Sequence, residues 1–343
     1  MATKNIGLVG GFASTNVGND FFTKGIEYAI TRAVPDSSIY ITQNLPGYYW
    51  KEGNKNPKNS FNYLGHMELD YLILTGPLFD VRFPHIWEET LSTLKNKGTR
   101  ILIFSAGSQQ YSENERNTVS KFLEFVEPYA IISRDSPTYE AYKELAEYSY
   151  DGIDFAFFIN DIFKPYKLDL PEYVILNFDT MPEPVFRPGG SDENSFRFLG
   201  EDWRFKKKQM NKVNKTIYRF FPEWFTFHNQ EFGKYEIVRP YNFVNPGNSK
   251  KFYTLPGTYL SELASDHVNL YANASGILSC RVHSCVASLV FGKEAMLFSK
   301  SLRGQLFDRV GLGDIRKHPV KLDLSYLKDE KKKQLEFLKK IFA

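Results

Sequence analysis

The chain has 343 residues, too many for one hydrophobic core of ordinary size, so two domains of about 150 residues each are expected. Its 42% hydrophobic and 24% charged content is that of a globular protein, and a formal charge of +3 is too small to point to nucleic acid. No apolar run reaches the ~18 residues of a membrane span. Two cysteines exclude a disulfide scaffold, and MATKNIGLVGG reads as a retained strand rather than a signal peptide, so a cytoplasmic protein is expected.

The first half alternates strands and helices. NIGLVGG (5–11) suits a buried parallel strand, and Phe21, Phe22, Ile26, Ala29, Ile30 and Ala33 then recur at helical spacing. Strand patterns follow at SSIYIT (37–42), DYLILTG (70–76), RILIFSAG (100–107) and YAIISR (129–134), with helical patterns at 85–97 and 114–127. Strands separated by such helices predict a parallel sheet covered on both faces. DGIDFAFFIN (151–160) adds an apolar stretch, FKPYKLDLPE (163–172) reads as an interdomain linker, and YVILNFD (173–179) restarts the strands. Residues 180–250 show no clear pattern, although seven basic and no acidic residues fall between Arg204 and Arg219. Regular patterns return with KYEIVRPY (234–241), a helix near 258–273, the strand GILSCRV, the helix HSCVASLVFG and the strand EAMLFS. Leu335, Leu338, Ile341 and Phe342 share one helical face, so a C-terminal helix (324–343) should pack against one of the domains. The expected fold class is α/β, with two Rossmann-like αβα domains, 1–162 and 163–323, facing a cleft.

In such sheets ligands meet the loops at the strand carboxyl ends. The loop GGFASTNVGND (10–20) lets backbone amides approach an anion at a helix N-terminus, although a plain turn with Asn19 or Asp20 as helix cap explains it equally. It matches neither a dinucleotide fingerprint nor a phosphate-loop pattern. Gly76 and Pro77 in LTGPLFD either re-aim the chain at the ligand edge or simply turn it. In ISRDSPTYEAY, Ser136 and Pro137 are placed as N-cap and first residue of a helix. Arg134 there either reaches a phosphate or carboxylate or pairs structurally with Asp135 or Asp154.

ILSCRVHSCVASLVFGK (277–293) concentrates Cys280, Arg281, His283 and Cys285. Zinc is disfavoured, because both cysteines sit where an apolar strand and helix bury small residues and no second cysteine or histidine pair lies nearby. No base is evident for a reactive thiol. Arg281 and His283, two residues apart at a strand end, are expected to face the cleft together. Arginine binds phosphate or carboxylate through its fork, and histidine binds the same anion or delivers a proton. A structural histidine at a helix start is the alternative. The basic aromatic segment 204–228 is either a solvated face or a collar for an anionic or glycan acceptor, with Trp203, Tyr218 and Trp224 stacking on sugar rings. No RNA-recognition module is visible.

Taken in order, GGFASTNVGNDFFTKGI, LILTGPLFD, ILIFSAG, IISRDSPTYE, DGIDFAFF and GILSCRVHSCVASLVFGKEAMLFS resemble the polysaccharide pyruvyl transferase family, over roughly 5–160 and 258–312. The resemblance implies a glycosyltransferase-B-like pair of domains, with 1–162 on the acceptor side and 163–323 on the donor side. It implies transfer of a pyruvyl group from phosphoenolpyruvate to sugar hydroxyls of a surface polysaccharide precursor, forming a ketal and releasing phosphate. No cofactor and no metal are implied. The acceptor would be a glycan or lipid-linked saccharide, which leaves room for peripheral membrane contact without a spanning segment.

Residue by residue, the resemblance carries donor binding onto Arg281 and His283 of the Arg-x-His element. Arg134 and Asp135 match its RD element, Asp154 its DxAF element, and Asn16 and Gly18 its NxGD element. Arg303 falls where the family keeps a basic side chain after the last strand. Asn19 stands in place of the usual aspartate, with Asp20 next. TGPLFD replaces a glycine run, GKEAM lacks the usual proline, and Val282 replaces a common leucine. His283 is the candidate general acid and Arg281 the donor clamp, while Asp20, Asp80 and His85 are candidates for an acceptor-side base. A nucleotide-sugar-dependent glycosyltransferase and a non-catalytic glycan-binding relative are the competing readings.

Overall fold

The computed structural model describes residues 3–11, 16–43, 61–190, 194–206, 211, 213–214, 216–217, 229–241 and 255–343. Six strands make the first sheet: β1 (Lys4–Gly10), β2 (Ser37–Gln43), β3 (Tyr71–Thr75), β4 (Arg100–Ala106), β5 (Ala130–Ser133) and β6 (Tyr148–Asp151). They pair all parallel in the order β2-β1-β3-β4-β5-β6. Every residue of β3 is buried, as a continuous apolar run must be when helices cover both faces. Those helices are α1 (Val17–Ala33), α2 (Phe83–Asn96), α3 (Glu113–Val126) and α4 (Ser136–Tyr142). On α2 the buried Phe83, Ile86, Trp87, Leu91 and Leu94 recur every three or four residues and form the apolar stripe.

Two helix caps differ from the sequence expectation. Helix α1 begins earlier, capped by Asn16, whose side chain accepts the Gly18 amide at 3.1 Å; neither Asn19 nor Asp20 caps it. On α4 the cap is Asp135, accepting the Thr138 amide at 2.9 Å. A carboxylate serves the helix dipole better than a hydroxyl. The Ser136 hydroxyl instead donates to Asp151 Oδ2 at 2.9 Å.

After a 3₁₀ turn (Phe155–Phe158) and α5 (Ile159–Ile162), residues 163–172 carry no helix or strand. Next come β7 (Tyr173–Asn177) and a small antiparallel sheet of β8 (Val185–Pro188), β9 (Ser195–Phe198) and β10 (Glu201–Lys206). This sheet falls within the stretch the sequence left unassigned. Trp203 is 1% exposed and stacks on Phe232 with centroids 3.9 Å apart, so it belongs to the core and is no sugar platform. Tyr218 and Trp224, with most of the segment 204–228, lie outside the described residues.

The second parallel sheet adds β11 (Glu236–Pro240), β12 (Thr258–Tyr259), β13 (Gly276–Ser279) and β14 (Glu294–Leu297), in the order β12-β11-β7-β13-β14. Helices α6 (Ala264–Asn273) and α7 (Val282–Val290) cover it. The helix expected near 258–273 thus starts at Ala264, and residues 258–259 pair as β12. Buried Arg239 of β11 grips Glu183 through Nε and Nη2 at 2.8 and 3.0 Å, tying the stretch before β8 to the sheet. Both members are buried, so the charges require that bidentate pairing.

The last helix, α8 (Leu324–Phe342), returns to the first domain. Gln334 pairs with both the amide and carbonyl of Ile153, and the Tyr129 hydroxyl donates to the Ile341 carbonyl at 2.9 Å. Helix α1 bridges the two domains: its Phe21 meets Tyr271 of α6 edge-on and its Phe22 lies 5.7 Å from the His283 ring.

One buried group sets a pH dependence. His267 on α6 is fully buried, with Nε2 3.1 Å from the Ser261 carbonyl and, among the described residues, no hydrogen-bond partner for Nδ1. Burial pushes its pKa below the ordinary value of 6.5, outweighing the opposing hydrogen bond. Unfolded, the ring takes up a proton that the folded ring refuses. Its contribution is therefore complete above 6.5 and lost as pH falls toward the depressed folded value. His267→Gln should flatten the fall in melting temperature between about pH 7 and pH 5.

Candidate active site

The carboxyl ends of both sheets open on one cavity of about 210 Å³. In the first domain, β1 and β3 are where the strand order reverses, and Asn16, Asn19 and Pro77 follow them into the cavity wall. Arg134 follows β5 into the same wall. In the second domain the order reverses between β7 and β13, with Thr180 after one and Cys280, Arg281, Val282 and His283 after the other. Ser299, Ser301 and Arg303 follow β14. Ligands of open α/β sheets bind at such reversals. Among the described residues, three arginines and a histidine line this wall and no carboxylate does, a lining whose chemistry suits an anion.

Arg281 and His283 do not stand on a strand as the sequence suggested. Strand β13 ends at Ser279; Arg281 is the N-cap of α7 and His283 lies in its first turn. Both reach the same cavity because the first turn of a helix springing from a strand end points over the sheet edge. The Arg281 Nε donates to Asp179 Oδ1 at 2.6 Å. His283 Nε2 lies 3.5 Å from Asp154 Oδ2.

Asp154 is shared. Its Oδ2 also receives Arg134 Nη1 at 3.4 Å, and its Oδ1 accepts the Ala156 amide at 2.9 Å. Burial alone would raise its pKa, but the charges of His283 and Arg134 and these hydrogen bonds hold it below the usual carboxylate range. Arg134 is 1% exposed, and its Nε and Nη2 find no hydrogen-bond partner among the described residues. Buried guanidinium nitrogens left unpaired are costly unless an anion completes them. Arg303 is exposed at the rim and its side chain makes no hydrogen bond or ion pair among the described residues.

Two glycines make room for these side chains. A Cβ on Gly18 would sit 2.5 Å from His283 Nδ1, and one on Gly107 would sit 2.6 Å from Arg134 Nε. Gly18 therefore lets α1 pass beneath the imidazole. Gly18→Ala should displace His283 and cut turnover about tenfold or more, and should lower the melting temperature too, since the added methyl would meet the His283 Cβ at 2.8 Å. A steady-state assay beside a thermal melt checks this.

Of the other sequence candidates, Asp135 stands behind the wall, accepting the Tyr111 hydroxyl at 2.8 Å. Asp20, Asp80 and His85 do not line the cavity. Asp20 lies on α1, its pKa raised by burial against the pull of Lys24. Asp80 is held by Arg82 at 2.6 Å, and His85 is exposed on α2. Both thiols are buried; burial, then the Asp179 charge, pushes Cys280 up to about 11, and burial raises Cys285 further. Among the described residues no three His, Cys, Asp or Glu side chains gather as a metal set. Sequence reading overlooked Asp179 and Gly107, whose one signal was position at the carboxyl end of a strand pattern.

Two parallel αβα domains with a cavity between their carboxyl edges give the protein a glycosyltransferase-B-like fold. Such a fold is also that of the Staphylococcus aureus MnaA–UDP co-structure, at 10% identity and TM-score 0.50, with 98% of this chain and 91% of that chain covered. A candidate UDP-N-acetylglucosamine 2-epimerase from Listeria monocytogenes is similar at 12% identity and TM-score 0.53, covering 99% and 91%. At these identities the likeness speaks for the fold alone. No curated protein matches the chain by sequence. A profile for "polysaccharide pyruvyl transferase" matches residues 16–301, and the chain belongs to that family.

Proposed function

We propose that the cavity binds phosphoenolpyruvate and that the protein moves its pyruvyl group onto two hydroxyls of a saccharide, leaving a pyruvate ketal and free phosphate. The observation that supports this most is the wall of three arginines and a histidine around a space of about 210 Å³. That volume lies below the ~300–1,000 Å³ of drug-sized pockets and suits a small anion carrying a phosphate and a carboxylate.

His283 protonates the methylene carbon of phosphoenolpyruvate, and the cationic C2 is captured by a saccharide hydroxyl, which gives up its proton. The bond from C2 to the phosphate oxygen then breaks, the electron pair leaving with phosphate. A second hydroxyl adds to the regenerated cation, closes the ketal and gives its proton to the now neutral His283. Arg281, Arg303 and Arg134 hold the donor and meet the charge growing on the departing phosphate. The donor belongs to the 163–323 side and the saccharide to the 1–162 side, where Asp20, Asp80 and His85, outside the donor cavity, are the candidates for an acceptor base. Asp154 orients His283 from behind.

Calorimetric titration with phosphoenolpyruvate beside uridine diphosphate tests the reading. Saturable phosphoenolpyruvate binding, with phosphate released only when a saccharide acceptor is added, is expected. Binding of the nucleotide alone would replace pyruvyl transfer with nucleotide-sugar chemistry.

A further inference from the structure

We propose that Asp179, which does not line the cavity, is a positioning residue that sets the Arg281 guanidinium toward the donor anion; this rests on the donor reading above. The Asp179 side chain is fully buried just beyond the end of β7 and accepts Arg281 Nε at 2.6 Å. Strands β7 and β13 pair directly, Asn177 against Ser279, so the residues two places beyond each strand end come together where the strand order reverses. The Arg281 amide is held too, donating to Ser279 Oγ at 2.8 Å.

A guanidinium has five N–H donors in a fixed plane, so gripping Nε decides where the other four point. The two terminal nitrogens of Arg281 make no hydrogen bond among the described residues and are not shut away from the cavity. They remain for a ligand. Arg134 is held differently, by Nη1 to Asp154. Ordering Arg281 before the anion arrives removes that cost from binding. A purely structural Asp179–Arg281 pair would change stability without changing anion affinity, which separates the two roles.

The experiment is calorimetric titration of wild type, Asp179→Asn, Asp179→Ala, Arg281→Ala and the Asp179→Ala/Arg281→Ala double variant. The probes are phosphoenolpyruvate and, separately, inorganic phosphate. Asp179→Ala should weaken both about tenfold and Asp179→Asn by less, with no further loss when Asp179→Ala is added to Arg281→Ala. The Arg281 Nε–H resonance should be protected from exchange in wild type and lose that protection in Asp179→Ala. Losses that simply add, or wild-type affinity in a folded Asp179→Ala, would overturn the assignment. Should Asp179→Ala not fold, Asp179→Asn with an unchanged Nε–H signal and unchanged affinity would overturn it equally. A wild type that binds phosphate but not phosphoenolpyruvate sinks the donor reading, while the phosphate cycle still decides Asp179. Binding of neither probe removes both.

Discussion

Arg281→Ala is expected to lower kcat/KM for phosphoenolpyruvate by about 10²–10³-fold, the loss seen when one preorganised donor is taken from a developing anion. The reason is geometric. Arg281 caps α7 at the junction of the two central strands of the second sheet, and its Nε is already committed to Asp179. Its remaining donors face a wall in which no carboxylate among the described residues competes for them, and the wall's other arginines follow β5 and β14, so they approach from different positions. Arg281→Lys should recover little, because an ammonium lacks the rigid planar fork that holds Asp179 through Nε while presenting the terminal N–H groups to an anion. Truncation also leaves a buried carboxylate without its cation, so the melting temperature should fall as well. A phosphate-release assay with saturating acceptor, run on both variants, measures the effect. Turnover at the wild-type level in Arg281→Ala would remove the arginine from donor binding.

The second large effect is expected at Asp154. Its carboxylate is fully buried between Arg134 and His283, and Arg134 has Asp135 as its other counter-ion, 4.0 Å away. Asp154→Ala takes the nearer carboxylate from a buried guanidinium and leaves it only Asp135 at 4.0 Å, which should cost about 3 kcal/mol. Asp154→Asn keeps the acceptor for the Ala156 amide and should cost less. The pH dependence separates these losses from simple misfolding. Since His283 and Arg134 outweigh burial and hold the folded pKa of Asp154 low, its stabilisation is complete above the ordinary aspartate range. It is lost as pH falls through the depressed folded value. The acid limb of a stability curve should therefore be shallower for Asp154→Asn than for wild type. Both variants should also lose turnover because His283 is no longer oriented from behind. An acid limb of equal slope would mean that Asp154 carries no such linkage.

The sequence by itself determined the repeating strand-helix pattern, because apolar periodicity is a direct record of which residues are buried. Most parallel strands left a run of apolar residues, and α2 left its stripe of Ile86, Thr90, Leu91 and Leu94, whereas β6, reading YSYD, and the two-residue β12 carry no such run and went unassigned as strands. It also marked Arg281, His283 and Arg134, since polar side chains placed where apolar strands end stand out against their neighbours. Only the tertiary structure decided what those side chains do together. Arg134 and His283 meet because one buried carboxylate, Asp154, reaches both. Asp179 looked like any strand-end aspartate until the pairing of β7 with β13 set it beside Arg281. Trp203, in a polar and basic stretch, read as a surface ring, yet Phe232 covers its face. Gly18 owes its importance to a contact with His283, a residue far away along the chain. Such pairings depend on strand order, which the periodicity of any one segment does not encode.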